Sequence, residues 1–225
     1  MSSTDREMMS RALQLAAKGR YTTSPNPAVG CVIALDGAVV AEGYTRPAGG
    51  NHAEIEALQS AGNIVGATAY VTLEPCSHQG KTGPCADALI AAGIARVVIA
   101  GEDPNPQVAG AGIKKLQDAG IEVDVGLLED QARDINSGFI KRQEQGTPWV
   151  TVKMAASLDG RTAMASGQSQ WITTPASRKD VQRLRAANCA IITGIGTQLM
   201  DDPSLTVRIT NDDLGVADSL RQPLR

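Results

Sequence analysis

Between residues 67 and 126 the chain alternates short β-branched runs with helix-patterned runs: ATAYVTL, GPCADALIAAG, RVVIAGE, GAGIKKLQDAG and IEVDVG. This order restricts the fold more than any other feature. Successive strands joined through helices must run parallel, with right-handed crossovers. Gly93 fits the end of the first of these helices. Upstream, VGCVIAL reads as a buried strand and AVVAEGY as its hairpin partner, with Asp36-Gly37 as the turn. Thr4 and Glu7 fit a capping box, and Met8, Ala12, Leu13, Leu15 and Ala16 recur at helical spacing, so a first helix is expected to run to about Lys18. SPNPAVG is a turn-rich loop, HAEIEALQSAG is helical, and a further helix is expected from about Glu129 to Lys141. The expected architecture is α/β, a mixed sheet with helices on both faces. Aromatic residues make up only 3% of the chain, so its core must be built from Ala, Val, Ile and Leu.

QEQGTP, residues 143–148, is a polar linker with Gly and Pro, which divides the chain into domains at 1–145 and 146–225. The second opens with WVTVKMAASLDG, expected as a strand running into a turn. A helix from about Pro175 to Ala187 and a strand near CAIIT follow. The final stretch, ITNDDLGVADSLRQPLR, has few apolar residues, and the second unit reads as a domain cut short.

The formal net charge is −3, and no run of Lys and Arg stands out. A nucleic-acid partner, which needs a basic face, is not expected, although a small substrate with one phosphate is compatible with this balance. No stretch approaches the ~18 apolar residues of a membrane span, and the N-terminal residues lack the apolar core of a signal peptide. A cytoplasmic location is expected. There a disulfide between Cys76 and Cys85 is disfavoured, and paired cysteines more often bind metal or do chemistry.

Those two cysteines frame the densest chemistry in the chain, TLEPCSHQGKTGPC at residues 72–85. The chain has only two histidines, His52 and His78. His52, Cys76 and Cys85 offer one nitrogen and two sulfurs, the ligand set of a catalytic zinc that keeps its fourth position for water. His78 would close the site as a structural one on composition alone. His52 and Cys85 fall near expected helix starts, whose partial positive charge favours thiolate. Glu54, two residues from His52, is placed to take a proton from an acidified zinc-bound water and pass it to a leaving amine. H-x-E followed by P-C…C is the zinc-deaminase arrangement, with Glu as acid/base rather than ligand. Here the second spacing is P-C-x8-C, and the inserted SHQGKTGP carries His78, Lys81 and Thr82, groups able to hold a phosphate.

With PNPAVGCVI, GGNHAEIEAL, TLEPCSHQGKTGPC and DPNPQVAG in its first unit, the chain resembles the bifunctional deaminase/reductase family of riboflavin biosynthesis. KMAASLDGRTAMASGQSQWIT and DDPSLTVR resemble the start of that family's reductase domain. The resemblance implies a cytidine-deaminase-like three-layer mixed sheet, followed by the start of a dihydrofolate-reductase-like α/β domain. It implies deamination of 2,5-diamino-6-(ribosylamino)-pyrimidin-4-one 5′-phosphate by a zinc-bound hydroxide, with Glu54 shuttling protons. Asn26, His78, Lys81 and Gln107 would line the substrate pocket, the charge of Lys81 suiting the phosphate. In the second unit Ala155, Trp171, Thr173, Thr197 and Asp201 match NADPH-binding positions. Ser169, Arg185, Leu205 and Arg208 match the substrate side, with Lys153 nearby. The family's reductase continues beyond residue 225, so no reductase activity is expected of this length of chain. The family associates through its reductase part, which implies a homo-oligomer.

Each of these residues also has an ordinary reading. Cys76 and Cys85 alone would fit a structural zinc or core thiols, and Cys31 and Cys189 read as buried small hydrophobes. His78 and Lys81 would be solvated loop residues, and Asn26 and Gln107 would cap turns beside their prolines. Trp171 would be core, and Arg185 and Arg208 surface charges. Two rival classes follow: a zinc deaminase acting on cytidine, guanine or tRNA adenosine, and a non-enzymatic module in which zinc only staples the fold. The x8 insert and DPNPQVAG argue against the first, and the acidic balance argues against tRNA.

Overall fold

The computed structural model describes residues 1–78, 83–106 and 108–225, in two units, Met1–Trp149 and Val150–Arg225. The first unit opens with α1 (Ser3–Gly19). Its capping box sits two residues earlier than the Thr4–Glu7 pair suggests. Ser2 is the N-cap, its side chain accepting from the Asp5 amide at 3.1 Å, while the Asp5 carboxylate accepts from the Ser2 amide at 2.6 Å. Tertiary contacts decide between the two boxes. The same Asp5 carboxylate also accepts from the Tyr70 hydroxyl (2.9 Å) and from Arg96 Nη1 (2.8 Å), bonds that fix the register of the helix on the sheet.

The hairpin β1 (Gly30–Leu35) and β2 (Ala38–Tyr44) turns through Asp36 and Gly37, both at positive φ (51° and 79°), as a two-residue turn of matching twist requires. Then follow α2 (Ala53–Ser60), β3 (Thr68–Val71), α3 (Cys85–Ala91), β4 (Arg96–Ile99), α4 (Ala111–Asp118) and β5 (Glu122–Val125). The sheet order is β2-β1-β3-β4-β5. β1 is antiparallel to both neighbours, whereas β3, β4 and β5 are parallel, as their alternation with helices dictates.

Side chains alternate across the sheet. Ile33, Ala69, Val71, Val97 and Ile99 join a core with Ala53 and Ala57 of α2, Leu89 of α3 and Leu116 of α4. Val32, Tyr70 and Val98 face the other way, onto Met9, Ala12 and Leu13 of α1 and Ala132 of α5 (Glu129–Ile135). The layers close tightly because the facing residues are small. A Cβ on Gly43 would lie 2.3 Å from the Ala53 carbonyl oxygen, so the bare backbone of β2 is what admits the first turn of α2.

The single helix expected over 129–141 is broken. α5 stops at Ile135, and α6 (Ser137–Gln145) begins after Asn136. The buried Asn136 carboxamide accepts from the Ala28 amide at 2.8 Å and donates to the Ala28 carbonyl at 2.9 Å. This two-way bond to a distant loop sets the break.

The second unit holds α7 (Pro175–Ala187), α8 (Ile195–Asp201) and α9 (Asn211–Leu214). α7 spans the expected residues, with Thr174 as its N-cap and proline at its first position. The strands expected at the start of this unit and near CAIIT are not formed. Residues 149–156 carry neither helix nor strand, and Ala190 makes only an isolated bridge with Leu224. Strands need laterally paired neighbours over several residues, and among the described residues the 189–193 segment meets only Leu224 in this way, while 149–156 pairs with no strand. Val150, Val152 and Met154 are accordingly 71–77% exposed. No helix among the described residues is long and apolar enough to cross a membrane.

The Asp5 cluster has a measurable signature. The Arg96 guanidinium beside it holds the Asp5 carboxyl well below the usual carboxylate range. Asp5 therefore stabilises the fold fully above the unfolded carboxylate pKa of about 4, and that contribution fades as pH falls below it. Asp5→Asn is expected to cost about 1.5–3 kcal/mol at pH 7. The gap to wild type should narrow in denaturant titrations below about pH 4; a gap constant across that range would remove the ionic role.

Candidate active site

The candidate site lies beyond the carboxyl ends of the parallel strands, where open α/β sheets place their ligands. β3 leads through Thr72–Pro75 into Cys76. The Thr72 hydroxyl accepts from the Gly30 amide (3.0 Å), and the Thr72 amide donates to the Gly30 carbonyl (3.1 Å), which extends the β1–β3 pairing to the lip of the site. His52 is the N-cap of α2, but its side chain makes no cap bond, and its ring is left to face the cysteines. Cys85 is the first residue of α3, after Pro84 at the N-cap. The Ala86 amide donates to the Cys76 carbonyl (3.1 Å) and the Cys85 amide to Cys76 Sγ (3.4 Å), so the start of α3 is stitched to the Cys76 loop.

His52 Nδ1 lies 3.6 Å from Cys76 Sγ and 3.3 Å from Cys85 Sγ. The three ligand atoms all lie within 4.8 Å of one another. The hydrogen bond from Cys85, ahead of that from His52, pulls the Cys76 thiol down to about 4. Cys85 is pushed up, first by its bond to Cys76 and then by burial. His52 is raised chiefly by its bond to Cys76. By themselves the two sulfurs thus share one negative charge. A divalent cation seated among them would let both ionise, and one imidazole with two thiolates is a donor set zinc accepts. Three donors leave a fourth position open. His78 does not join this group; it is exposed on the rim of the adjoining cavity. Glu54, in the first turn of α2, is 3% exposed, and burial pushes its carboxyl up to about 7.

His52, Glu54 and Cys76, with Cys85 buried behind them, line a cavity of about 390 Å³. Asn26 and His78 are on its wall, as are Asp103 and Asn105 from the loop after β4. Lys81 and Gln107 lie outside the described residues. Phe139 and Arg142 of α6 also reach the cavity, carried there by the break at Asn136. Asn136-Ser137-Gly138 does interrupt the helical run with turn-favouring residues, but nothing in the sequence shows that Asn136 would meet Ala28. Asp103 and Asn105 were within reach, since both belong to the DPNPQVAG motif. Burial pushes the Asp103 carboxyl up from its ordinary value.

In the second unit, Arg185 Nη1 donates to the Thr206 carbonyl (2.9 Å) and Arg208 Nη1 to the Ser204 hydroxyl (2.9 Å), so both arginines grip the turn that contains Leu205. Arg185 is pushed down by burial and then by the charge of Arg208. The Arg178 guanidinium stacks 4.2 Å from the Trp171 ring centroid and donates to the Thr173 carbonyl. Thr197 and Asp201 lie in α8, whereas Lys153, Ala155 and Ser169 lie on segments without helix or strand.

The family model for the cytidine and deoxycytidylate deaminase zinc-binding region matches residues 2–101, and that for the RibD C-terminal domain matches residues 148–225. The riboflavin biosynthesis protein RibD of Escherichia coli K12 is 58% identical over 227 residues. The match covers 98% of this chain and 62% of that protein. A solved structure of Acinetobacter baumannii RibD is 51% identical, with a TM-score of 0.91, and is matched over 98% of this chain and 62% of that one. A Thermotoga maritima structure, titled a diaminohydroxyphosphoribosylaminopyrimidine deaminase/5-amino-6-(5-phosphoribosylamino)uracil reductase, is 42% identical with a TM-score of 0.89, over 98% of this chain and 61% of that one. The chain thus spans somewhat more than half the length of the relatives it matches. A match to a zinc-binding deaminase region and one to a RibD C-terminal region follow one another along the chain, which is similar over nearly its whole length to the RibD riboflavin biosynthesis proteins.

Proposed function

We propose that the first unit is a zinc-dependent hydrolytic deaminase acting on the phosphorylated diaminopyrimidine 2,5-diamino-6-(ribosylamino)-pyrimidin-4-one 5′-phosphate. One observation carries this reading: His52, Cys76 and Cys85 converge beside the buried Glu54, and His52, Cys76 and Glu54 line the cavity. Zinc held by those three side chains would supply Lewis acidity, lowering the pKa of a bound water. The chain's own part is proton traffic and positioning. The Glu54 carboxylate takes the proton that the attacking water gives up and delivers it to the ring amine. Overall, water and the aminopyrimidine become the oxo-pyrimidine and ammonia. The raised affinity of Glu54 for a proton, a consequence of its burial, suits a group that must both accept and return one.

Asn26 and His78 hold the substrate from the cavity wall, and Lys81 and Gln107 complete that set, Lys81 meeting the phosphate. The second unit carries positions that match the family's reductase side: Ala155, Trp171, Thr173, Thr197 and Asp201 for NADPH, and Ser169, Arg185, Leu205 and Arg208, with Lys153 nearby, for the substrate. The pairing of Arg185 and Arg208 around one turn supports an anionic ligand. The protein works as a homo-oligomer in the cytoplasm, where paired thiols stay reduced.

Glu54→Gln is expected to keep about one zinc per chain by metal analysis, while ammonia release from the pyrimidine nucleotide falls about 10²–10⁴-fold. A zinc that only staples the fold would leave release unchanged by that substitution. Cys76→Ser is expected to lose metal and ammonia release together and to melt at lower temperature. Cytidine and guanine offered under the same conditions should yield no ammonia; equal release from either would reassign the substrate.

A further inference from the structure

The Glu74 carboxylate is 4% exposed, yet it meets no cationic side chain within hydrogen-bond distance among the described residues. Instead both oxygens are filled by backbone amides. Oε1 accepts from Gly112 (2.8 Å) and Ile113 (3.2 Å), and Oε2 from Gly110 (3.0 Å) and Asp103 (3.2 Å). Three of these donors belong to the start of α4. Its N-cap, Gly110, sits at φ 74° and supplies no capping side chain. Glu74 is therefore the cap of α4, reached across the fold from the end of β3. A carboxylate is the right group for that place, since it is an acceptor on every side and its charge opposes the positive end of the helix.

Backbone shape agrees with the hydrogen bonds. A Cβ on Gly112 would stand 2.0 Å from the Pro75 carbonyl oxygen, so α4 abuts the segment between Glu74 and Cys76 with no room for a side chain. The Glu74 amide donates to the Gly101 carbonyl (3.0 Å), which ties the two ends of the loop to one residue. That loop carries Asp103 and Asn105 to the cavity, and within it the Asn105 amide donates to Asp103 Oδ1 (2.8 Å). Glu74 thus joins the cavity wall to the loop bearing Cys76.

We propose that Glu74 is a positioning residue, which sets the 101–113 loop against the Cys76 loop and so holds the pyrimidine-facing wall at working distance from the metal ligands. Its catalytic consequence rests on the deaminase reading above; the clamp itself does not. Glu74→Gln keeps the shape but turns an NH2 group toward two amide donors, which breaks the clamp without emptying the space. Gly112→Ala attacks the same contact by pushing α4 away while the carboxylate stays intact.

Both variants would be examined in the full chain loaded with zinc, beside Val98→Ala, which loosens the opposite face of the sheet. Amide hydrogen exchange at Asp103, Gly110, Gly112 and Ile113 is expected to quicken about tenfold or more in Glu74→Gln and Gly112→Ala, with bound zinc unchanged. KM for the pyrimidine nucleotide should rise by about the same factor, more than kcat falls. Val98→Ala, compared at equal loss of melting temperature, should show neither effect. Unchanged exchange at those amides overturns the clamp. A KM rise equally large in Val98→Ala reduces Glu74 to a stability residue. A wild-type chain that releases no ammonia from the nucleotide sinks the deaminase reading instead, and the exchange data then decide the clamp alone.

Discussion

Two thiols and a buried carboxyl crowd one imidazole, and that crowding is the constraint around which the first unit is organised. Acidic groups so close together resist ionising together. Part of the relief is built from backbone, since His52 and Cys85 mark the starts of α2 and α3, where backbone amides present partial positive charge, the Cys85 amide donating to Cys76 Sγ. The rest calls for a cation between the sulfurs. The sheet below fixes the spacing of these helix starts. β3 and β4 pair in parallel from Thr68–Arg96 to Val71–Ile99, so the loops that leave them emerge side by side. Bare backbone at Gly43 lets the first turn of α2 settle onto β2.

The fold of the first unit was legible because its strands and helices carry distinct periods. The parallel order of β3, β4 and β5 followed from alternation alone, and the hairpin from Asp36-Gly37. The misplaced features share one cause. The Ser2–Asp5 box prevailed over Thr4–Glu7 because Asp5 also answers Tyr70 and Arg96, residues 65 and 91 positions away. The break at Asn136 answers Ala28, 108 positions away. Glu74 reads locally as part of a strand end, and only the return of the chain at Gly110–Ile113 reveals its partners. Local pattern displays period and turn chemistry; it does not display which polar group will meet a distant backbone.

The second unit shows the opposite balance. Its helix α7 forms where capping and periodicity put it, since both are local. The expected strands do not form, because a strand is a relation between segments. Ile192, Ile195, Leu199 and Met200 remain 74–94% exposed, and the arginines at the 204–206 turn are held by carbonyl and hydroxyl groups rather than by a packed interior.

The Asn136 joint has a consequence for how this scaffold can change. A helix turns about 100° per residue. Inserting one residue between Asn136 and Phe139 would swing the aromatic ring and Arg142 off the cavity wall while leaving His52, Cys76, Cys85 and Glu54 untouched. The phase of α6 is thus a dial, independent of the metal cradle, by which the width and polarity of the cavity mouth can drift in evolution or be reset by design.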